Sequence, residues 1–278
     1  METTVNWEEV RQLQSLCEKH DGITLKLNWD ILNIRPKGDK QDLTIYRDGT
    51  LVAFLGRYSF GSTLEICGMV HPDYRRQGIF SDSMRSALDD WAINNHAEIL
   101  LNAPGNSNAA KAFLSTISCH FSCSEYQMKY NPTGDTLPSH LAKVYLRPSV
   151  ESDRELLIQL DVEGFGETPE EAATQYSEVS LQDNYSRYDM IIKDEKPVGK
   201  IRVIRDKGES WIYGFVVSSA VRGQGIGSDT LRQVIDRERN EGYDVWLEVA
   251  LSNPNAQKLY ESAGFQILQV QDYYVFTK

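Results

Sequence analysis

The sequence predicts two copies of one domain, each with an α/β or α+β fold in which strands alternate with helices. The first reason is an internal repeat. Residues 77–82, Gln-Gly-Ile-Phe-Ser-Asp, return with one change as residues 224–229, which lie 147 positions later. At this spacing, further identities need no gap between Ile45 and Tyr126. The second reason is the length of 278 residues, which suits two domains that each bury a core.

In the first copy, Gly22 ends an amphipathic helix that is predicted for residues 7–20. Asp48 and Gly49 form the turn of a predicted hairpin, because Asp-Gly between two apolar runs is a strong hairpin signal. The strands of the copy are predicted at residues 43–47, 51–57, 64–70, 99–103 and 120–130, and its later helices at about 79–96 and 106–116.

The second copy repeats this plan after a linker that is predicted at residues 131–138. Thr168 followed by Pro169 is typical of a helix start, since a hydroxyl caps the first turn and proline fits there. We therefore expect an N-terminal domain at residues 1–135 and a C-terminal domain at 141–278. Strands are predicted at residues 143–146, 189–193, 198–205, 211–217 and 245–249, and helices at 152–162, from 168 onward, and at 226–240 and 255–262.

The composition excludes several classes of protein. A formal net charge of −11 disfavours nucleic acid as a partner, because phosphate binding needs clustered cations. No apolar run approaches the ~18 residues of a membrane span, and the first residues lack a secretory signal, so we expect a cytoplasmic protein. The cluster of Cys119, His120 and Cys123 lacks partners for a four-ligand metal site. We therefore expect reduced thiols and no metal.

The repeated letters form a turn between a strand that ends at Val217 and a helix that begins at Ile226. The first N–H groups of a helix have no partner inside it, and the helix dipole is positive there, so an anion such as a pyrophosphate is the natural occupant. Glycines let the backbone approach the anion, and Arg222 would place a guanidinium beside it.

Three known motifs could explain this turn. A Walker loop requires Gly-Lys-Ser/Thr, which is absent, and a dinucleotide fingerprint requires glycine where Ser228 stands. The turn instead resembles the coenzyme A loop of the GCN5-related N-acetyltransferases (GNAT), Q/R-x-x-G-x-G/A. The run from Arg222 through Gly225 to Gly227 fits it fully. In the first copy, Arg75 and Gly78 fit, but Phe80 replaces the last small residue.

A second signature strengthens the resemblance. Asn253, Asn255 and Ala256, then Leu259 and Tyr260, are similar in order and spacing to the family's later motif, which ends in Gly264-Phe265. The resemblance covers nearly all of residues 141–278 and about 43–130. It implies two tandem GNAT domains. Each would be a mixed, mostly antiparallel twisted sheet with helices on both faces and one splayed parallel strand pair.

The resemblance also implies direct transfer of an acetyl group from acetyl-CoA, as cosubstrate, to a primary amine of a small molecule or peptide. Tyr260 would protonate the departing thiolate, and Glu248 would accept the amine proton, with Glu209 as the alternative base. A strand amide near Val217 would polarise the thioester carbonyl. The residues expected to contact coenzyme are Phe215, Val216, Val217, Arg222, Gly223, Gln224, Gly225, Ile226, Gly227, Ser228 and Asn255 in the second copy, and Val70, Arg75, Arg76, Gln77 and Gly78 in the first.

The two copies are unequal where chemistry would occur. At the repeat spacing, Phe113 stands in the place of Tyr260, so that the first copy offers no hydroxyl. We therefore expect catalysis in the second copy, and a first copy that is structural, regulatory or a degenerate coenzyme binder.

The acceptor is less well defined by the sequence. Residues 161–189 hold eight acids and one base, Arg187, which either attract a cationic amine or form a solvated acidic surface. A non-catalytic acyl-CoA sensor is the alternative function. Oligomeric state and pathway do not follow from the sequence.

Overall fold

The computed structural model of the chain describes residues 5–36, 41–131, 144–176 and 188–277. It contains two compact units. The N-terminal unit comprises residues 1–125 and 269–278, and the C-terminal unit comprises residues 126–268. Most of the predicted linker, at residues 132–138, lies outside the described residues. None of the described helices is long and apolar enough to cross a membrane.

The N-terminal unit begins with helix α1, whose first turn is capped by the side chain of Asn6 and whose end is fixed by Gly22 in a left-handed conformation, with φ of 64°. The predicted hairpin is present, with its turn at Asp48 and Gly49. The elements are α1 (Trp7–Asp21), α2 (Trp29–Leu32), β1 (Asp42–Arg47), β2 (Thr50–Phe60), β3 (Thr63–Val70), α3 (Ile79–Ala87), α4 (Asp90–Asn95), β4 (Glu98–Pro104), α5 (Asn108–Leu114) and the first part of β5 (Cys119–Tyr130).

One predicted helix of this unit is divided. Instead of a single helix over residues 79–96, α3 ends before Leu88, and α4 starts with Asp89 as its cap. The carboxylate of Asp89 accepts a hydrogen bond from the N–H of Ala92, which starts the new helix. It also accepts one from Arg57 Nη1, at 3.0 Å. Asp89 therefore ends one helical segment by capping the next.

The sheet of the N-terminal unit has the order β1-β2-β3-β4, and residues 271–275 of the last strand, β11 (Phe265–Phe276), pair antiparallel with β4. Strands β3 and β4 run parallel, from the pair of Thr63 and Glu98 to the pair of Ile66 and Leu101. Apolar side chains on one face pack against α1 and α2, and those on the other face pack against α3 and α5.

The C-terminal unit repeats this arrangement. Thr168 caps the start of α7 as predicted, and together with Glu171 it forms a capping box. The elements are β6 (Tyr145–Pro148), α6 (Arg154–Phe165), α7 (Pro169–Gln175), β7 (Tyr188–Lys193), β8 (Lys196–Asp206), β9 (Glu209–Val217), α8 (Ile226–Asn240), β10 (Asp244–Ala250), α9 (Pro254–Ser262) and residues 265–268 of β11.

The sheet order in this unit is β10-β9-β8-β7-β6, with residues 126–130 of β5 beside β10. Strands β9 and β10 run parallel, from the pair of Glu209 and Asp244 to the pair of Ile212 and Leu247. The splayed parallel pair that was predicted for this fold is therefore confirmed, and the mixed sheet with helices on both faces occurs in each unit.

The unit boundaries fall inside two strands, β5 and β11, which the sequence did not predict. Residues 269–278 complete the N-terminal unit, although they come last in the chain. Residues 126–130 belong to the C-terminal unit, where Gln127 Nε2 donates to Glu248 at 2.9 Å and Lys129 bonds Asp244 at 2.8 Å. The units thus differ from the predicted domains of 1–135 and 141–278 in these two segments.

In several elements, equivalent positions of the two copies are 146 residues apart, and not the 147 of the gapless sequence repeat. The parallel strands begin at Thr63 and Glu209, which are 146 positions apart, whereas the turn glycines Gly78 and Gly225 are 147 apart. The extra residue is a bulge in β9: Lys200 pairs with Val216, and the next pair is Arg202 with Tyr213, so that β9 has two residues between these pairs and β8 has one. Strand β3 pairs with β2 without a shift. A bulge adds one residue without changing the paired strand, so the sequence identities concealed it.

The spacing of 146 also holds in the later helix. The side chains of Ser107 and Asn253 cap α5 and α9 in the same way. Seven residues after each cap stand Leu114 and Tyr260. The structural counterpart of Tyr260 is therefore Leu114 and not Phe113. The first copy still lacks a hydroxyl at this position.

Candidate active site and coenzyme cleft

The predicted anion-binding turn of the C-terminal unit has the geometry that such a site needs. Gly223 and Gly225 are both left-handed, with φ of 77° and 78°, a conformation that glycine adopts without strain. Gly225 caps α8 without a side-chain hydrogen bond, so that the first N–H groups of the helix, from Ile226 to Ser228, face outward without a helical acceptor. The amine of Lys193 bonds the side chain of Gln224 and adds positive charge beside the turn.

Arg222 holds this turn in place through its own side chain. Its Nε donates to the carbonyl oxygen of Val217 at 2.8 Å, and its Nη2 lies 3.5 Å from a carboxylate oxygen of Glu163 on α6. Glu163 also accepts a hydrogen bond from the N–H of Ser219. The guanidinium is thus tied to the strand end and to the first helix, and the backbone N–H groups are left to meet an anion.

In the first copy, Arg75 makes the hydrogen bonds that correspond to those of Arg222, but to different residues. Arg75 Nε donates to the carbonyl oxygen of Val70 at 3.0 Å, and its two terminal nitrogens bond both oxygens of Asp21 at 2.9 and 2.8 Å. These hydrogen bonds from Arg75 hold the pKa of Asp21 below its ordinary value. At the place of Gly223, Arg76 adopts a left-handed φ of 64°. Gln77 and Gly78 follow, and Gly78 caps α3.

The parallel strands of the C-terminal unit separate next to this turn. After Ile212 and Leu247, no further pair joins the two strands in the described part of the chain. Among the described residues, Val216 and Val217 pair with β8 and not with β10, so their backbone edge toward β10 is open. Phe215 lies in the same segment, between the bulge and Val216. An extended chain with amide groups could pair with such an edge.

Glu248 is the first residue of β10 after the last parallel pair, and it is half-buried. Its carboxylate accepts from Gln127 at 2.9 Å. Glu209 lies at the opposite end of the paired segment, and its carboxylate accepts from the indole of Trp211 at 3.0 Å. The structure therefore brings Glu248, and not Glu209, to the point where the strands separate.

Tyr260 lies on α9, only 8% exposed, in the core formed by α8, α9, β9 and β10. Its ring packs edge-on against Phe265, with 6.1 Å between centroids. Burial raises the pKa of Tyr260 to about 12, so that its hydroxyl remains protonated at neutral pH. Asn255, which was predicted to contact the coenzyme, is exposed in the first turn of the same helix.

Each copy has one glycine and one phenylalanine at two neighbouring positions, and their order is reversed between the copies. In the C-terminal unit, the ring of Phe215 reaches within 3.8 Å of where a Cβ on Gly227 would stand. In the N-terminal unit the roles are reversed, and the ring of Phe80 lies 3.0 Å from where a Cβ on Gly68 would stand. Phe80, which departs from the family motif, therefore fills the volume that Phe215 fills in the other copy.

This exchange predicts a paired mutational effect. Gly227→Phe should lower the free energy of unfolding by about 1–3 kcal/mol, because its side chain would overlap Leu259 and Phe215. Adding Phe215→Gly should restore a large part of that stability, since it recreates the combination of the first copy. Chemical denaturation of the three proteins tests this. If Gly227→Phe is as stable as the wild type, the surrounding side chains accommodate the added ring without cost, and the prediction is wrong.

The N-terminal unit keeps an open cleft at the equivalent place. It has a volume of about 470 Å³ and lies between the separating ends of β3 and β4 and helices α3 and α5. Residues of the predicted turn, Arg75, Arg76 and Gly78, line it together with Val70, Gly68 and Phe113. Four of the five predicted coenzyme residues of the first copy thus line one cavity, and Gln77 is not among its lining residues.

One buried network of the C-terminal unit was missed by the sequence. The amine of Lys200, 0% exposed, pairs with Asp161 on α6 and donates to the hydroxyl of Tyr176 at 2.9 Å. It also lies 4.6 Å from the ring centre of Tyr188. Lys200 is the strand partner of Val216. The sequence did not predict this ion pair, because a single lysine within a strand does not indicate a buried charge. Asp161 was assigned to the acidic region.

That acidic region is only partly described. Of its members, Glu178, Asp183 and Arg187 lie outside the described residues. Asp161 is buried in its ion pair and Glu163 is tied to the turn, so neither is a freely solvated charge. Within the described residues, no group of histidine, cysteine or acidic side chains is arranged to hold a metal ion. The thiol of Cys119 donates to the carbonyl oxygen of Leu114.

Comparisons with known proteins agree with this geometry. The family model described as Acetyltransferase (GNAT) family matches twice, at residues 7–115 and 154–265. A GCN5-related N-acetyltransferase structure from Sphaerobacter thermophilus has a TM-score of 0.74 at 18% identity, covering 96% of this chain and 91% of that one. A tandem GNAT protein from the clavulanic acid biosynthesis pathway has a TM-score of 0.68 at 16% identity, covering 96% and 93%.

A curated relative, the [ribosomal protein bS18]-alanine N-acetyltransferase of Haemophilus ducreyi, is 34% identical over 67 residues. This match covers 24% of the chain and spans less than half, 46%, of that relative. The two family matches together span most of the chain, and each falls mainly on one of the two copies. The chain belongs to the acetyltransferase (GNAT) family, of which it carries two domains in tandem.

Proposed function

We propose that the C-terminal unit transfers an acetyl group from acetyl-CoA to a primary amine in a ternary complex. The observation that carries this proposal is the alignment of three features around one gap. These are a glycine turn with outward N–H groups at residues 223–228, the open edge of Phe215–Val217, and Glu248 where the strands separate. The turn suits the pyrophosphate of the coenzyme, and the open edge suits its amide-bearing arm.

The chemistry would be divided between two residues. Glu248 takes a proton from the amine, directly or through a water molecule, and the amine nitrogen attacks the acetyl carbonyl carbon. The carbon–sulfur bond then breaks, and the coenzyme sulfur receives the proton of the Tyr260 hydroxyl. Burial raises the pKa of Tyr260 to about 12, so the phenol carries its proton at neutral pH. The N–H groups at the end of β9 would stabilise the charge on the carbonyl oxygen.

The acceptor class is supported from two sides. The family acts by acyl transfer, and one relative is named for acetylating an alanine of a ribosomal protein. A peptide that begins with alanine is therefore one acceptor to test, beside small amines. A chain that binds acetyl-CoA but releases no thiol with any of them would instead be an acyl-CoA sensor.

Coenzyme binding at the turn can be tested with two matched glycines. Gly225 and Gly242 stand at the start and just beyond the end of α8, both left-handed, with φ of 78° and 88°. Alanine costs about 1–2 kcal/mol of backbone strain at either place. We expect Gly225→Ala to weaken acetyl-CoA binding about tenfold or more, because about 1.4 kcal/mol of distortion in the turn suffices for that.

Isothermal titration calorimetry of the full chain with acetyl-CoA provides the measurement. Gly242→Ala should lower thermal stability similarly and leave the affinity of the C-terminal site unchanged. Equal affinities in both variants would remove the turn from the coenzyme site. The first copy has its own cleft, so a second binding event is to be fitted separately.

A further inference from the structure

The cleft of the N-terminal unit extends from its glycine turn to the point where its parallel strands meet. Val70 and Gly78 line the open end, and Ile66 and Leu101, the last parallel pair, line the closed end. The four strand steps from Ile66 to Val70 correspond to a depth of about 13 Å. Ile66 and Leu101 are almost fully buried, so the closed end lies in the interior of the unit.

Smaller side chains in the first copy leave space at the closed end. Leu114 stands in the place of Tyr260, and Cys119, which begins β5, stands in the place of Phe265, which begins β11. In the C-terminal unit, the rings of Tyr260 and Phe265 pack against each other in the core. The N-terminal unit has no ring at either position, and Leu114 lines the cavity. The cavity therefore extends toward the place that the phenol of Tyr260 fills in the other copy.

The wall of the closed end is apolar. Asn102 and Lys26, two polar side chains that line the cavity, already donate hydrogen bonds to Glu65 and Tyr273. A water molecule at the closed end would find few of the two to four polar partners that it needs, whereas an apolar chain would gain from being removed from water there. The volume of about 470 Å³ is typical of a small-molecule site. The buried apolar side chains of the wall are Ile66, Met84, Leu101, Ala103 and Leu114.

The open end of the cleft has the opposite character. Gly78 starts α3 with a left-handed φ of 80° and without a side-chain cap, so the first N–H groups of this helix have no helical acceptor. Beside it, Arg76 is exposed and lines the cavity, with a left-handed φ of 64° that strains a residue other than glycine. Strained residues of this kind gather at functional sites. The cleft as a whole therefore suits a ligand with an anionic head and an apolar tail.

We propose that the N-terminal unit binds a CoA thioester whose acyl chain is apolar and longer than acetyl, such as butyryl or hexanoyl. The pyrophosphate lies at the turn of Arg76 and Gly78, and the acyl chain lies between Met84 and Leu114. An acetyl group would leave the closed end empty. Leu114 offers no proton to a departing thiolate, so the role of the site is binding rather than turnover. The proposal concerns the N-terminal unit alone and does not depend on acetyl transfer by the C-terminal unit.

Isothermal titration calorimetry of the full chain with acetyl-CoA, butyryl-CoA and hexanoyl-CoA tests the proposal. All proteins carry Gly225→Ala, which weakens the turn of the C-terminal unit, so that the N-terminal site dominates the signal. Each methylene that is removed from water raises affinity about fourfold. We therefore expect butyryl-CoA to bind about tenfold more tightly than acetyl-CoA, and hexanoyl-CoA about a hundredfold more tightly.

A matched pair of variants assigns this preference to the cavity. Leu114→Phe places a ring at the closed end, whereas Leu16→Phe makes the same change at an exposed position of α1 that is not among the lining residues. Leu114→Phe should abolish the preference for longer chains, keep acetyl-CoA binding and leave the melting temperature undiminished, because the ring fills existing space. Leu16→Phe should keep the preference.

A second variant covers the case in which Leu114→Phe lowers the melting temperature. Ala103→Val copies Val249, the residue at the equivalent strand position of the other copy, and should reduce the preference in the same direction. Equal affinities for the three thioesters, or a preference that survives in both cavity variants, would overturn the proposal. Failure of the C-terminal proposal looks different: Tyr260→Phe would keep full turnover with amines, and the effect of Leu114→Phe on chain preference would remain.

Discussion

Tyr260→Phe is expected to lower kcat of the C-terminal site by about 10²–10⁴, the usual contribution of a positioned acid or base, while acetyl-CoA binding stays nearly unchanged. The change removes only the hydroxyl. The helix packs without one at Leu114 in the first copy, so the fold should be retained. Steady-state rates at saturating acetyl-CoA, with calorimetry of the same proteins, separate chemistry from binding.

Tyr243→Phe is the matched control, because it makes the same change in the same unit at a half-buried ring that packs under Arg205. The pH profile gives a second check. An ordinary tyrosine with a pKa of 10.0 would lose its proton in the alkaline range, whereas the buried hydroxyl of Tyr260, with a pKa of about 12, keeps it. The wild-type rate should therefore show no loss of this acid near pH 10. Undiminished turnover in Tyr260→Phe would show that the thiolate finds its proton elsewhere.

Lys200→Met is expected to lower the free energy of unfolding of the C-terminal unit by about 3–5 kcal/mol. Lys200 and Asp161 are both buried, and removal of the lysine leaves the carboxylate without its counter-charge. Domains are stabilised by only about 5–15 kcal/mol in total, so this loss should be plain in urea unfolding followed by tryptophan fluorescence. Trp211 and Trp246 report on this unit.

Two further variants separate the ion pair from the loss of a lysine as such. Lys196→Met removes an exposed lysine from the start of the same strand and should change stability by less than about 0.5 kcal/mol. Lys200→Met with Asp161→Leu removes both charges and should recover much of the loss. If Lys200→Met unfolds at the same urea concentration as Lys196→Met, the pair contributes little. Asp161 lies two residues from Glu163, so Lys200→Met should also loosen the turn that Glu163 holds.

Local chemistry explains which parts of the fold were predicted correctly. The capping residues Asn6 and Thr168 and the helix-ending Gly22 act within a few residues of their own positions, so their effects can be read directly from the sequence. The predicted strands and most helices were confirmed within a few residues for the same reason. The glycine turn at residues 222–227 was found because its conformation depends on glycine at fixed spacings.

The features that were missed depend on contacts between distant residues. The bulge in β9 changes which face each later side chain takes, and no repeated residue marks its position in the sequence. The exchange of Gly68 and Phe80 for Phe215 and Gly227 is visible only when the cleft is seen, because each residue alone looks like a defect.

The membership of residues 269–278 in the N-terminal unit has a consequence for synthesis. Strand β4 ends at Pro104, and its partners at residues 271–275 are translated about 170 positions later. At roughly 5–20 residues per second, the nascent chain carries that bare strand edge for on the order of ten seconds or more. An unpaired strand edge can pair with other chains. An incomplete chain that ends before residue 271 would therefore expose β4 and be prone to aggregation. Removal of residues 269–278 is therefore expected to promote aggregation of the chain.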